Sequence, residues 1–412
     1  MGGPIWQRGR FWLWIGMLAW VVPLAAFTWS VLRRPPGDRS LDPIYRWGLE
    51  AWRVHLDLYS GYGGATFVSV FLLPYRKFLQ IGSGLEYLYP PSFFTFYWPF
   101  AMLQPPWGEI LWRWIGAAGM AWMLARLMRA QGRPWNHFDF LLLSIGVLPV
   151  SLGALQGGQA NVIIAVCLLG AALAMTHGAF FRAGLWLAVG CGIKPFVIAP
   201  IGLACVLFPA TLPGLVVGGL IVLGIPLLTA PSDYALDQYA QFVRNTLGPC
   251  MNTKIDRFAD FNGLLRMMDS PLTGAASTAV RALAGALFAL WMLRIRTRMP
   301  RPDLALVWVA ASTCYLMLFN PLTEANSYCM LAVPMVLFAW RWIDAGKAAL
   351  GWSLFLALIG MGVLSEMLRP INRNWGTAFD LRFMPLTASL FLLSVVMVGP
   401  PARDRPDRLP AA

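Results

Sequence analysis

Charge and histidine are scarce in this chain. Charged residues make up 12% of its 412 positions, and lysine occurs at four of them. A soluble domain carries roughly a quarter charged residues and about half apolar ones; here the apolar share is 58%. His55, His137 and His177 lack the spacing of a zinc site. Of the six cysteines, Cys167, Cys191, Cys205, Cys314 and Cys329 lie in or beside apolar runs and Cys250 in a long loop, with no Cys-x-x-Cys. That is no disulfide framework. A Gly-rich phosphate loop is also missing, which argues against a nucleotide held in a soluble domain. So is any internal repeat of the kind many secondary transporters carry. No metal and no other cofactor is expected.

Long apolar runs dominate instead. Runs of this length read as transmembrane helices, so the expected fold is all-α, a polytopic helical membrane protein forming one integral membrane domain over 1–412. Spans are predicted near 11–32, 92–104, 109–128, 138–155, 160–176, 184–208, 211–229, 275–293, 303–319, 328–343, 348–365 and 381–399, about twelve in all. The first run follows Arg8 and Arg10, is too long for a signal h-region and meets no small-residue cleavage site. It reads as an uncleaved signal-anchor with a cytoplasmic N-terminus.

The net charge is +13, and basic residues cluster in short loops such as RIRTRMPRP (294–302), in 341–347 and in the tail 400–412. This is the pattern of cytoplasmic loops facing anionic lipid, not of a nucleic-acid grip. It places 33–91, 230–272 and 366–380 outside. Arg126, Arg129 and Arg133 conflict with that placement if every run crosses fully. The runs 92–104 and 184–208 are short or broken by proline, and half-spans or re-entrant hairpins lining a cavity would remove the conflict.

Polar residues within or beside the spans are the candidate functional groups, because they are expensive there. In LDPIYRWGLEAWRVHLDLYSG (41–61), Ile44, Trp47, Ala51, Val54 and Leu58 form one helical face and Arg46, Glu50, Arg53 and Asp57 the other. This predicts an external interfacial helix after the first span. Asp42 followed by Pro43 also has the form of an N-cap and first turn. EYLYPPSFFTFYWPF (86–100) offers Tyr87 and Tyr89 as an interfacial belt or as a wall for a sugar or prenyl chain. LGALQGGQANVII (152–164) offers Gln156, Gln159 and Asn161 for helix–helix bonding or for substrate. Lys194 lies mid-run in GIKPFVIAP (192–200). A charge at the centre of a span costs ~2.5–3.5 kcal/mol, so it should face a cavity or an anion, or else snorkel. Asn262 and Arg266, and then Glu324, Asn326 and Tyr328, form two external patches.

The order of these clusters resembles glycosyltransferase family 87, membrane enzymes of the GT-C superfamily that take sugars from polyprenyl-phosphate donors. The matching residues are Asp42-x-x-Tyr45, Tyr59, Tyr87-Leu88-Tyr89-Pro90-Pro91, Gly158-Gln159-Ala160-Asn161 and Lys194-Pro195, within a resemblance that extends over 11–400. Three features depart from the family pattern. His55 replaces the usual glycine before the loop tyrosine, Asn262-Gly263 an Asn-Gln-Ser, and Thr323–Tyr328 the histidine-bearing hinge of many mannosyl-transferring members.

The resemblance implies a GT-C-like fold and transfer of a hexose, with mannose the candidate, from a polyprenyl-phosphate donor to a lipid or glycan acceptor. The reaction is expected at the non-cytoplasmic face of the plasma (inner) membrane, among membrane lipids and without nucleic acid. Asp42 is the candidate catalytic residue. Tyr45, Tyr87, Tyr89, Gln156, Gln159, Asn161, Lys194, Asn262, Arg266, Glu324, Asn326 and Tyr328 are candidates for substrate binding. The chemistry is consistent: an activated lipid-borne sugar needs no nucleotide site, the acceptor hydroxyl needs a carboxylate base, and the departing phosphate needs a cation. The alternatives are a transporter or lipid flippase using Lys194, Gln159 and Asn161 as its path, and a non-catalytic envelope partner. Asp42, Lys194 and Gln159 around one cavity, open outward and sideways, would favour the enzyme.

Overall fold

The computed structural model describes residues 5–33, 40–59, 89–131, 137–247, 258–321 and 323–400, and every regular element among them is helical. Tyr87, Arg133, Cys250 and the tail from 401 lie outside the described residues. Among the described residues, seven helices are long and apolar enough to cross a membrane: Phe11–Arg33, His137–Gln156, Pro209–Thr229, Gly274–Arg296, Arg301–Phe319, Ala348–Leu368 and Asn374–Val398. The chain is a polytopic helical membrane protein.

The bundle is built around two helices. One is Arg301–Phe319, whose most apolar window is 83% buried. The other is Cys329–Asp344, buried from Cys329 through Trp342 although its sequence reads as an ordinary span. Packing in lipid rewards close approach rather than water exclusion, so the outer helices keep apolar side chains such as Leu220, Leu228, Leu283 and Leu290 exposed.

Two predicted spans are corrected. The run 92–104 forms a helix of nine residues, Phe93–Ala101, about 14 Å long and half a hydrocarbon core. It is a half-span. The run 184–208 is not one crossing either. Helix Phe180–Ile193 ends at Lys194, which is extended at φ −146°, ψ 122°, and Pro195 opens a short 3₁₀ turn before helix Ile198–Leu207. Proline lacks the N–H that would continue the helix. Phe180 stacks on Phe208 with centroids 5.7 Å apart, so the two arms return to the same end. The segment is a helical hairpin with Lys194 at its tip. Its first arm has 14 residues, about 21 Å, which leaves the tip recessed below a ~30 Å surface.

The half-span and the hairpin together remove the arginine conflict. Gln131, at the end of helix Trp107–Ala130, accepts from Arg341 Nη1 at 3.2 Å, and Arg341 pairs with Asp303 at 2.8 Å. Arg126 and Arg129 therefore share one end of the bundle with 294–302 and 341–347. The opposite end gathers the polar segments. There, Leu58 N–H donates to Gln238 Oε1 at 2.9 Å, the Tyr234 hydroxyl to the Leu56 carbonyl at 2.6 Å, and Ala259 N–H to the Thr323 carbonyl at 2.7 Å.

The hairpin is pressed against helix Leu212–Thr229 by glycines. A Cβ at Gly184 would lie 2.3 Å from the Thr211 carbonyl oxygen, and one at Gly214 would lie 2.0 Å from that of Phe181. At Gly219, on the same helix, a Cβ would meet nothing within 4 Å. Gly214→Val is expected to cost at least the ~1–3 kcal/mol of core overpacking and to lower the melting temperature in detergent. Gly219→Val should melt like the parent. Equal melting of both variants would show that the helices do not meet at Gly214.

Candidate functional site

Helix α2 (Asp42–Arg53), which follows helix α1 (Ile5–Arg33), lies at the polar end and differs from its sequence reading in which residues it buries. Its buried stripe is Tyr45, Gly48, Leu49 and Trp52, with Asp42 and Ala51, whereas Val54 is 51% exposed. Of the predicted apolar face, Ala51 and Leu58 are buried and Ile44 and Trp47 pack partly buried against the core, while Val54 is turned out. Glu50 and Arg53 are exposed as expected, but Arg46 turns inward. A charge can be buried when its partner is one turn away, and Asp42 is that partner.

Asp42 makes no capping bond, so the capping alternative falls. Its Oδ1 accepts from Arg46 Nε at 3.1 Å and from the Tyr97 hydroxyl, and its Oδ2 from Arg46 Nε at 2.8 Å. Arg46 also donates to the carbonyls of Phe100, Ala101 and Leu103 at 2.8–3.3 Å. It thus satisfies the C-terminal carbonyls that the half-span Phe93–Ala101 leaves open.

A second buried pair anchors the start of α2. Arg113 Nη1 meets Glu109 Oε2 at 3.0 Å, and both side chains are nearly inaccessible. Ser40 Oγ donates to Glu109 at 2.5 Å, while Arg113 donates to Ser40 Oγ and to the Gln156 carbonyl. Leu41 N–H reaches the Gly157 carbonyl at 3.0 Å. The Gln156–Asn161 turn is thereby locked to Asp42's segment. Gly158 has φ +61°, and the Arg113 guanidinium carbon lies 3.4 Å from where a Cβ would stand. Glycine takes that positive φ without strain, and the Arg113 contact would be an ordinary one even for a Cβ.

Tyr45, fully buried, sits among Tyr89, Phe93, Tyr97 and Trp112 at centroid distances of 4.8–6.4 Å. Its hydroxyl lies 3.0 Å from that of Tyr89 and accepts from Ala160 N–H at 3.2 Å. Burial pushes this hydroxyl above its ordinary pKa, keeping it neutral. Tyr59 donates to the Tyr89 carbonyl at 2.8 Å.

Beyond Tyr89 lies Lys194. Its ammonium is 5.1 Å from the Tyr89 ring centroid and 5.8 Å from that of Phe196, and it donates to Asn161 Oδ1 at 3.0 Å. Asn161 Nδ2 donates to Gln159 Oε1 at 3.0 Å and to Ser327 Oγ at 3.1 Å. Gln159 Nε2 then reaches Glu324 Oε2 at 3.3 Å. Lysine can only donate and a carboxylate only accept, so the two ends determine how both amides face.

Lys194, Gln159, Asn161 and Glu324 are therefore brought together, with Tyr89 and Tyr45 beside them. Asp42 stands apart, joined to Lys194 through Tyr97, Tyr45 and Tyr89. Gln156 contributes its carbonyl. Asn262 spends both ends of its amide on Leu272, at 2.8 Å each. Arg266 lies 3.6 Å from Asp260, whose carboxyl caps Gly263 and lies 3.9 Å from Arg281. Burial raises the Asp260 pKa against the pull of the Gly263 N–H and the two guanidiniums. Asn326 packs on Gly153, and the buried Tyr328 donates to the Ala259 carbonyl at 2.8 Å.

Sequence reasoning passed over Arg46, Tyr97, Glu109, Arg113, Asp260 and Ser327. The spacing of Glu109 and Arg113, one helical turn apart inside an otherwise apolar run, was the available signal.

The family model described as glycosyltransferase family 87 matches residues 87–361. No curated protein and no solved structure matches the chain.

Removing one member of a buried ion pair costs ~3–5 kcal/mol because the other is left uncompensated. Arg46→Met is expected to destabilise by about that amount. The double variant Asp42→Asn/Arg46→Met should lose less than the sum of the single variants. Additive losses in detergent melts would show that the two side chains do not share their energy.

Proposed function

Because the chain belongs to glycosyltransferase family 87, we propose that it transfers a hexose, mannose being the candidate, from a polyprenyl-phosphate donor to a lipid or glycan acceptor. The reaction is inverting and takes place at the non-cytoplasmic face of the plasma (inner) membrane. Membership in a family of glycosyltransferases sets aside the transport and flippase readings. The observation that carries the donor is Lys194, an ammonium at the recessed tip of a helical hairpin. A lipid-borne phosphate arrives at that depth and needs a charge-assisted donor there. The side facing outward follows from the arginines gathered at the opposite end.

In the proposed step, the bond between the sugar C1 and the phosphate oxygen breaks as the acceptor oxygen bonds to C1. The electron pair leaves on the phosphate beside Lys194, and the acceptor's proton passes to Asp42. Arg46 and Tyr97 hold Asp42, and a remaining lone pair on its Oδ2 would take the acceptor's proton. Tyr45 and Tyr89 offer aromatic faces to the sugar. Because they stand between Asp42 and Lys194, the bound sugar has to displace part of that cluster. Gln159 and Asn161 serve the donor end.

Transfer of labelled sugar by purified protein, over a panel of polyprenyl-phosphate sugars and membrane-lipid acceptors, tests the reading. Per folded molecule, Asp42→Asn should lose ~10²–10⁴ of the rate, the worth of a general base. Lys194→Met should weaken donor use, and Lys194→Arg should restore it in part, since guanidinium is planar and larger. Full activity of Asp42→Asn would remove Asp42 from the chemistry. For the orientation, a cysteine at the exposed position 50 should react with an impermeant reagent on intact cells. Reaction only after lysis would reverse the assignment.

A further inference from the structure

The Lys194–Asn161–Gln159–Glu324 chain carries more than donor binding requires. Its inner end is a half-buried cation and its outer end an exposed carboxylate, with two amides between them facing one way. Aligned hydrogen bonds polarise one another, so each end feels the other more strongly than two separated charges would. A group that only bound phosphate would have no use for a carboxylate so placed, because the anion it opposes is the substrate's own.

The charge of that anion changes during the reaction. A polyprenyl-phosphate sugar is a phosphodiester with one ionisable oxygen and carries one negative charge. Once C1 leaves, the lipid keeps a phosphomonoester, whose second ionisation lies near pH ~6, giving about −1.5 to −2 at neutral pH. An isolated lysine would hold this product more tightly than the substrate. We propose that Glu324 is a specificity-determining residue that opposes the extra negative charge of the product phosphate at Lys194, so that the enzyme favours the sugar-bearing diester and releases the monoester. The role rests on the polyprenyl-phosphate reading. Glu324 takes no proton and touches no reacting atom. It acts through Gln159 and Asn161 and through space.

Glu324→Gln separates this role from a structural one, because the new amide oxygen still accepts from Gln159 while the charge is gone. The probe is a short-chain prenyl monophosphate used as a product inhibitor, with KM for the donor measured in parallel. In Glu324→Gln the inhibition constant should fall relative to donor KM by about three- to tenfold, the Coulombic worth of one charge at roughly 10 Å in a partly exposed site. Added salt should shrink the difference. Glu50→Gln, on the exposed face of α2, should leave the ratio unchanged.

An unchanged ratio in Glu324→Gln, or equal shifts in inhibition constant and KM, would overturn the inference while leaving polyprenyl-phosphate transfer intact. A rate loss of ~10² or more at an unchanged ratio would instead make Glu324 the proton acceptor, and would overturn the inference as well. Wild-type protein that uses no polyprenyl-phosphate sugar would sink the donor reading and this inference together.

Discussion

A charged or polar side chain below the membrane surface has to bring its partner with it. No water waits there to take its hydrogen bonds, and an unpaired group costs several kcal/mol, by the order of magnitude for hydrocarbon. The polar end of this protein is organised by that constraint. Lys194 could not stand at the tip of a hairpin without Asn161 and the Tyr89 ring. Asn161 in turn needs Gln159 and Ser327. Asn161 and Gln159 come from one helix start and Ser327 from another segment, so satisfying one lysine draws together Phe180–Ile193, Asn161–Thr176 and the hinge before Cys329–Asp344.

The same constraint explains the recurrence of acid–base pairs one helical turn apart. Asp42–Arg46 and Glu109–Arg113 are both i,i+4 pairs, and both are buried. In water such a pair is worth a few tenths of a kcal/mol. Here each works as a connector, because the arginine has donors left after meeting its acid. Arg46 uses them on the carbonyls of the half-span, and Arg113 on the Gln156 carbonyl and Ser40. Two helical turns thereby set where the segment after the first span lies relative to the Gly-Gln-x-Asn turn. At the opposite end, Arg341 does similar work between Asp303 and Gln131.

Glycine supplies the complementary device. Where the hairpin meets helix Leu212–Thr229, backbone touches backbone at Gly184 and Gly214, the close approach that small residues permit in lipid. At Gly158 glycine serves differently, taking the φ of +61° that turns the chain into Gln159. The glycines thus help position the elements that carry Lys194 and Gln159.

The sequence alone determined the class of this protein. Apolar runs of membrane-spanning length and the scarcity of charge specify an all-α polytopic fold, since hydrocarbon admits a long apolar helix in few other ways. The ordered motifs Asp42-x-x-Tyr45, Gly158-Gln159-Ala160-Asn161 and Lys194-Pro195 were legible as well, because polar residues in such runs stand out by their cost. Pairing was not. That Gln159 and Asn161 reach Glu324 and Ser327, over 160 residues away, is decided by helices meeting in space. That Asp42 turns to Arg46 instead of capping its helix is decided by Tyr97 and the open carbonyls of Phe93–Ala101. Periodicity put Val54 on the packing face of α2, but the helix ends at Arg53 and Val54 stands exposed beyond it. The route of 184–208 depended on tertiary structure too. Proline marks a break in any sequence, but whether the chain crosses or turns back is set by what its far end packs against, here Phe180 on Phe208.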